Sequence, residues 1–171
     1  MKQRHMIALS AITALGLALL PGSAVGQQRS LKDQLVGTWT IVSQEQTLPN
    51  GGKVQALGAN PKGVNIYDAN GHFYILYARS DLPKIASNNR LTPTPEEAKA
   101  IALGSIGIVG TYTVDEAKKT IAVRPDASTF ANLVGTQQNW TITSITADEL
   151  KYSLEALGGG GQILTTFTRE K

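Results

Sequence analysis

The sequence predicts an all-β fold, an antiparallel up-and-down β-barrel with one short helix near residues 95–105. The chain contains roughly eight or nine short runs rich in β-branched and aromatic residues, and tight turn signals separate most of them. A meander of this kind removes its exposed edges most simply by closing on itself. An open sheet or a sandwich is the alternative architecture.

The composition indicates one folded domain that is stable without disulfide bonds. The 171 residues are 42% hydrophobic and carry a net charge of only +3, a balance that excludes a disordered chain. Cysteine is absent, which excludes disulfide frameworks, thiolate metal sites and thiol nucleophiles.

The first 26 residues have the three parts of a secretory signal peptide. Lys2 and Arg4 precede an apolar stretch at residues 6–20, and Ala24 and Gly26 are small residues suited to a cleavage site near Gly26. Cleavage after Ala24 and an uncleaved membrane anchor are the alternatives. Because the apolar stretch is shorter than the ~20 residues that span a bilayer, we expect cleavage, no stable membrane insertion afterwards, and a periplasmic or secreted protein.

Removing this leader changes the charge of the protein. The leader holds two of the sixteen basic residues and none of the thirteen acidic ones, so the mature chain is close to neutral. Such a surface does not concentrate polyanions, and we therefore expect no nucleic-acid partner. One histidine, His72, remains after cleavage.

The first half of the mature chain reads as a short lead-in followed by strands. Residues 27–34 form the polar lead-in, with a helical turn at 30–34. Strands are predicted at residues 36–48, 53–55, 64–68 and 72–79. The last two flank Asn70-Gly71, the strongest short signal for a β-hairpin.

A helix is predicted from Thr94 onward. Thr94 fits the N-cap, Pro95 the first helical position, and Glu97 the third position of a capping box. An irregular stretch at residues 80–93 precedes it. Loops of this length are commonly functional, so residues 80–105 are interpreted as a lid or side wall of an internal cavity.

The second half returns to strands. They are predicted at residues 107–114, 120–124, 140–146, 150–155 and 162–169, and Pro125 is expected to stop the second of these. Residues 126–138 form a longer loop, and the four glycines at 158–161 form a flexible connection.

Motifs at both ends of the predicted barrel and in several turns resemble those of a known family. Gly37-Thr38-Trp39 looks like the Gly-x-Trp motif of lipocalins, and Arg169 lies on the last strand. Segments 58–63, 67–71, 110–115 and 148–152 resemble, in order and spacing, bacterial lipocalin-like domain proteins. The resemblance covers residues 35–169, so we assign the domain to residues 35–171. It implies a barrel of about eight to ten strands with an internal cavity, in which Trp39 covers one end and Arg169 packs on its ring.

Candidate ligand contacts follow from the strand pattern. Tyr77 and Arg79 share one face of their strand, and the sequence does not decide whether this face points inward. Arg79 and Arg124 are candidate anchors for a ligand carboxylate, because a guanidinium offers a bidentate fork. Tyr112 is a candidate to orient the same ligand through its hydroxyl. The alternative is that the arginines are solvated and the tyrosines belong to the core.

The function predicted from these features is a carrier for a small apolar or amphipathic molecule, with no cofactor and no metal. Catalysis by His72 would need Asp68, Asp81 or a tyrosine as a partner, and no nucleophile motif is present. A cofactor-free cyclase, isomerase or hydratase that uses the barrel as a reaction chamber is the alternative. A filled barrel with a structural or partner-binding role is the third reading.

Overall fold

The computed structural model describes residues 29–171, and the predicted leader at residues 1–26 lies outside the described residues. The described chain consists mainly of β-strands. Its elements are α1 (Leu31–Leu35), β1 (Gly37–Thr47), β2 (Lys53–Val54), β3 (Lys62–Tyr67), β4 (His72–Ala78), α2 (Pro95–Gly104), β5 (Ser105–Asp115), β6 (Thr120–Ser128), β7 (Gln138–Ile145), β8 (Glu149–Glu155) and β9 (Gln162–Arg169), with short 3₁₀ turns at Ala131–Leu133 and Leu157–Gly159.

The strands form one antiparallel sheet that closes on itself. From β3 to β9 each strand pairs with the next one along the chain, and β1 pairs with both β3 and β9. Eight strands therefore close a barrel, while the two-residue β2 extends the edge of β1 at one end. The predicted up-and-down barrel is confirmed, and the open sheet and the sandwich are not observed.

Both helices form where the local sequence signals predict them. Ser30 caps α1 by accepting a hydrogen bond from the Asp33 amide. In α2, the Thr94 hydroxyl accepts from the Glu97 amide at 3.2 Å, and the Glu97 carboxylate accepts from the Thr94 amide at 2.8 Å, so the predicted capping box is present. Within residues 29–171, neither helix is long and apolar enough to cross a bilayer.

The predicted end of β6 at Arg124 is wrong, because the strand continues through Pro125 to Ser128. A β-bulge shifts the pairing of β5 and β6 at Gly110, which lies opposite Pro125. On its other side β6 pairs with β7 only as far as Val123, so the missing amide of Pro125 costs no hydrogen bond there. A side chain at Gly110 would place Cβ 2.1 Å from the Arg124 carbonyl oxygen. Beyond Val123 the loop after β6 takes the place of β7 beside β6, and the Gly135 amide donates to the Pro125 carbonyl at 2.9 Å.

The opposite end of the barrel is closed by Trp39. The indole is fully buried and donates a 2.7 Å hydrogen bond to the Leu35 carbonyl. The guanidinium carbon of Arg169 lies 4.0 Å from the centre of the Trp39 ring, the contact that the family resemblance implies. A Cβ at residue 37 would lie 2.7 Å from Arg169 Nη1, which explains why a glycine stands there.

Arg169 also holds three parts of the chain together. Its Nη1 donates to the Val36 carbonyl at 2.9 Å, Nη2 donates to the Gln34 carbonyl, and Nε donates to the Ala147 carbonyl at 2.7 Å. The last strand is thereby joined to α1 and to the β7–β8 turn.

Replacing Arg169 with alanine is expected to lower the free energy of unfolding by about 2–4 kcal/mol. The variant loses the cation–π contact and leaves three carbonyl groups without their charged donor. Urea denaturation followed by tryptophan fluorescence measures the change. Arg124→Ala, which removes an exposed arginine of β6, should change this free energy by less than about 0.5 kcal/mol. Equal effects of the two substitutions would contradict the role given to Arg169.

Candidate functional site

A cavity of about 310 Å³ lies inside the barrel at the end opposite Trp39. Its walls combine aliphatic side chains with the glutamines Gln44, Gln46 and Gln138, its floor is aromatic, and its mouth is bordered by the loop after β6 and the turn before β9. The walls include Ile75, Ile106, Ile108, Leu154 and Ile163. At the mouth, Phe130 is 47% exposed while Leu133 is buried.

Strand β4 shows how the alternation of the sequence builds one wall. Phe73, Ile75 and Tyr77 are buried, whereas Tyr74 and Leu76 on the other face are 44% and 61% exposed. The structure therefore decides the question that the alternation left open. The face that carries Tyr77 points into the barrel.

Packed aromatic rings form the floor. Trp140 and Tyr152 stack with their ring centres 5.0 Å apart, and Phe167 lies 5.2 Å from Tyr152 and 6.0 Å from Tyr77. Phe73 meets Trp140 edge-on at 5.6 Å. These rings fill the middle of the barrel, so the cavity is a pocket at one end rather than a channel.

A buried polar cluster lies within this aromatic layer. Asn65 is fully buried, and its Nδ2 donates to the hydroxyl of Tyr67 at 2.9 Å and to that of Tyr152 at 3.4 Å. The hydroxyls of Tyr152 and Tyr77 are 3.3 Å apart. Asn65 Oδ1 accepts no hydrogen bond from any residue between 29 and 171. Buried polar atoms are normally hydrogen-bonded, so the unpaired Oδ1 distinguishes this cluster from the rest of the core.

Burial keeps these tyrosines neutral. Desolvation raises the pKa of Tyr67, Tyr77 and Tyr152 above the ordinary phenol value. At neutral pH the floor therefore presents hydroxyl groups and no phenolate. Such groups donate or accept hydrogen bonds but are poor general bases.

The four predicted ligand contacts do not line one cavity. Tyr77 lines the cavity. Tyr112 lies at the Trp39 end, where its hydroxyl donates to the Asp68 carbonyl at 2.7 Å and where burial, with Asp68 nearby, raises its pKa to about 12. Arg124 is exposed on the outside of β6. Tyr112 and Arg124 instead border a separate shallow depression of about 140 Å³.

Arg79 leaves the inward face because β4 ends at Ala78. Its guanidinium forms two 2.8 Å hydrogen bonds to the Asp81 carboxylate on the outer surface. Neither arginine lines the cavity, so the carboxylate anchor expected from the sequence is not part of its described lining. Glu155, at the rim, is the one charged residue among the described residues of that lining.

The segment interpreted as a lid also lies elsewhere. No residue of 80–105 lines the cavity, whose mouth is formed by Phe130, Leu133 and the turn at Ala156-Leu157. His72 lies at the exposed hairpin, with its Nδ1 3.2 Å from Asp68 Oδ2 and no access to the cavity.

Sequence reasoning missed the residues at the centre of the site. Tyr152 carries a visible signal, since it alternates with Leu150 and Leu154 on a half-buried strand. Asn65 carries a weaker one, a polar residue within an apolar run of β3. Their contact joins two strands that are far apart in the chain, and no local pattern encodes it.

Alkaline pH is expected to unfold the protein. Unfolded tyrosines ionise near pH 10, and burial raises the pKa of Tyr67, Tyr77 and Tyr152 in the folded barrel. Above about pH 10 the unfolded chain therefore holds fewer protons than the folded chain. The free energy of unfolding is unaffected by these groups below that pH and falls as pH rises above it.

Phenolate absorbance and near-ultraviolet circular dichroism, recorded together during an alkaline titration, test this expectation. Most of the phenolate signal should appear with the loss of tertiary structure. Tyr74→Phe, which removes an exposed tyrosine, should leave the unfolding midpoint unchanged. Full ionisation of all tyrosines in a still folded barrel would contradict the burial argument.

Comparison with known proteins places the chain in a family. A family model described as a lipocalin-like domain matches residues 36–168. Among solved structures, the chain is similar to a lipocalin-like protein from Bacteroides uniformis ATCC 8492, with 11% identity over 81% of this chain and 99% of that one and a TM-score of 0.42. It is also similar to a redesigned β-barrel, with 13% identity over 84% of this chain and 98% of that one and a TM-score of 0.43. No curated protein matches it. The family match covers nearly the whole barrel and confirms the resemblance drawn from Gly37, Trp39 and the turns: the chain belongs to the lipocalin-like domain family.

Proposed function

We propose that this protein is a carrier that binds one small apolar or amphipathic molecule in the cavity at the open end of the barrel. The observation that supports this most strongly is the cavity itself, about 310 Å³ in volume, with mainly aliphatic walls that include three glutamines and an aromatic floor that includes Tyr77 and Tyr152. Ligand pockets span roughly 300–1,000 Å³ and combine apolar walls with a few polar groups. The volume suits a single small ligand.

The route into the cavity also supports binding. Beyond Val123, β6 no longer pairs with β7, and the loop that carries Phe130 and Leu133 borders the mouth of the cavity. Phe130 is half-exposed, so the mouth is covered by a side chain of a loop and not by a hydrogen-bonded strand. A ligand can therefore enter without breaking the sheet.

The arrangement favours a carrier over an enzyme. A reaction chamber would need acid, base or cationic groups within reach of one bound molecule. His72 and Arg124 are on the outer surface, and Tyr112 lies at the closed end. Tyr77 and Tyr152 are neutral hydroxyls suited to orienting a ligand.

Filling the cavity is expected to weaken binding. In Ile163→Trp, the larger side chain enters the cavity, and the dissociation constant for the neutral fluorescent probe N-phenylnaphthylamine should rise at least about tenfold. In Leu164→Trp, the matched change falls on the outer face of the same strand, where Leu164 is 42% exposed, and the affinity should not change. Fluorescence titration measures both, with circular dichroism to confirm folding. Equal affinities in the two variants would place the probe elsewhere.

We further propose that the protein acts outside the cytoplasm. The basic start, the apolar stretch and the small residues before Gly26 support this location. Fractionation of the producing cell, followed by N-terminal sequencing, should find the protein in the periplasm or medium with a chain that begins near residue 27. A cell-associated protein that begins at Met1 would contradict export.

A further inference from the structure

The cavity floor offers hydrogen-bond donors and lacks any cation. Tyr77 and Tyr152 both line the cavity, whereas no lysine or arginine does so among the described lining residues. Glu155 lies at the rim and is exposed. Any ligand group that reaches the floor therefore meets neutral hydroxyls and no positive charge.

The hydroxyls of Tyr77 and Tyr152 carry two hydrogens, and only one of the two has an acceptor. The hydroxyls of Tyr77 and Tyr152 are 3.3 Å apart, so one of them donates to the other. With the Asn65 amide placed so that Nδ2 faces the hydroxyls, the second proton of the pair meets no acceptor among the described residues. Because Tyr77 and Tyr152 are both lining residues of the cavity, a ligand is the acceptor that we assign to this proton.

Asn65 favours this arrangement from the buried side of the two tyrosines. Its Nδ2 donates to the hydroxyl of Tyr152, which occupies a lone pair of that oxygen on the buried side. It also donates to Tyr67, whose ring is fully buried and does not line the cavity. Asn65 is therefore a positioning residue for the floor, and Tyr152 with Tyr77 are the contact residues.

We propose that the ligand is a small neutral carbonyl compound, bound with its carbonyl oxygen towards the hydroxyls of Tyr77 and Tyr152 and its apolar part against the aliphatic walls. This inference rests on the proposed ligand-binding function and narrows it to one ligand class. It replaces the carboxylate ligand that Arg79 and Arg124 suggested in the sequence.

Charge and hydrogen bonding together favour this class. A carboxylate at the floor would lose its hydration with no cation to offset the loss. An ammonium group at the floor would lack a carboxylate partner, since Glu155 lies at the rim. A pure hydrocarbon would fit the walls but would leave the phenol proton unpaired in a dry pocket, which is unfavourable. A ketone, aldehyde, ester or amide satisfies that donor without introducing charge.

Three naphthalenes substituted at the same ring position test the inference. They are methyl naphthyl ketone, isopropenylnaphthalene, in which a methylene group replaces the carbonyl oxygen, and naphthoate. Calorimetry with the full mature protein gives the three dissociation constants. The ketone should bind at least about tenfold more tightly than naphthoate, since only the anion is buried without a partner.

The alkene provides the comparison for the hydrogen bond. The ratio of the alkene and ketone dissociation constants should fall about 3- to 10-fold in the double variant Tyr77→Phe/Tyr152→Phe, the change expected for one lost hydrogen bond. The alkene affinity itself should remain nearly constant. Tyr67→Phe is the matched control, because it removes a buried hydroxyl of the same cluster from a ring that does not line the cavity, and it should preserve the ratio.

An infrared measurement tests the contact without depending on variants. The carbonyl band of isotope-labelled ketone should shift to lower frequency on binding to the wild-type protein. Each single variant, Tyr77→Phe and Tyr152→Phe, should reduce that shift. A role limited to folding would not move this band.

The outcomes separate this inference from the function on which it rests. An unshifted carbonyl band with equal ratios in wild type and double variant would overturn the carbonyl contact and leave ligand binding intact. Tightest binding of naphthoate would overturn the neutral ligand class. If N-phenylnaphthylamine binds but no naphthalene of the series does, the neutral carbonyl ligand class would also be overturned, and ligand binding itself would stand. Failure of the probe and of the whole series would overturn both proposals.

Discussion

Strands β1 and β9 pair from Trp39 opposite Arg169 to Thr47 opposite Gln162, and this contact turns a sheet into a barrel. Without it, both strands would be open edges, and the interior faces of the remaining strands would lose their enclosure. Arg169 reinforces the closure at one end, because a single guanidinium covers Trp39 and donates to three carbonyl groups in two other segments. The buried interior, and therefore the cavity, depends on this seam.

A closed barrel of eight strands has an interior that large side chains can fill or leave partly open. Here the aromatic rings of the middle layer and Trp39 fill the closed half, and smaller aliphatic side chains line the other half. The bulge at Gly110 and Pro125 lies where β6 stops pairing with β7. The loop with Phe130 follows there, so the two ends of the barrel differ. The same strands thus supply a packed aromatic floor at one level and a mouth bordered by loops at another.

The electrostatics of the interior follow from which residues face it. Buried phenols stay neutral, and Asn65 is held among them. The ionic side chains of residues 29–171 lie at the rim, as Glu155 does, or on the outer surface, as Arg79 does with Asp81. A site of this kind selects ligands by shape and hydrogen bonding rather than by charge. The proposed carrier function and the proposed neutral ligand both derive from that distribution.

Much of the fold was readable from the sequence because its signals are local. Asn70-Gly71 marks a hairpin, Thr94 and Glu97 mark a helix start, and Gly37 with Trp39 marks the first strand of the family barrel; each depends on neighbours within a few residues. The inward face of β4, the passage of β6 through Pro125 and the position of Arg79 were decided only by the tertiary structure. Those features depend on strand register and on what each strand meets across the sheet. The contact of Asn65 with Tyr152 has the same origin, since closure of the barrel brings β3 and β8 together around the floor of the cavity.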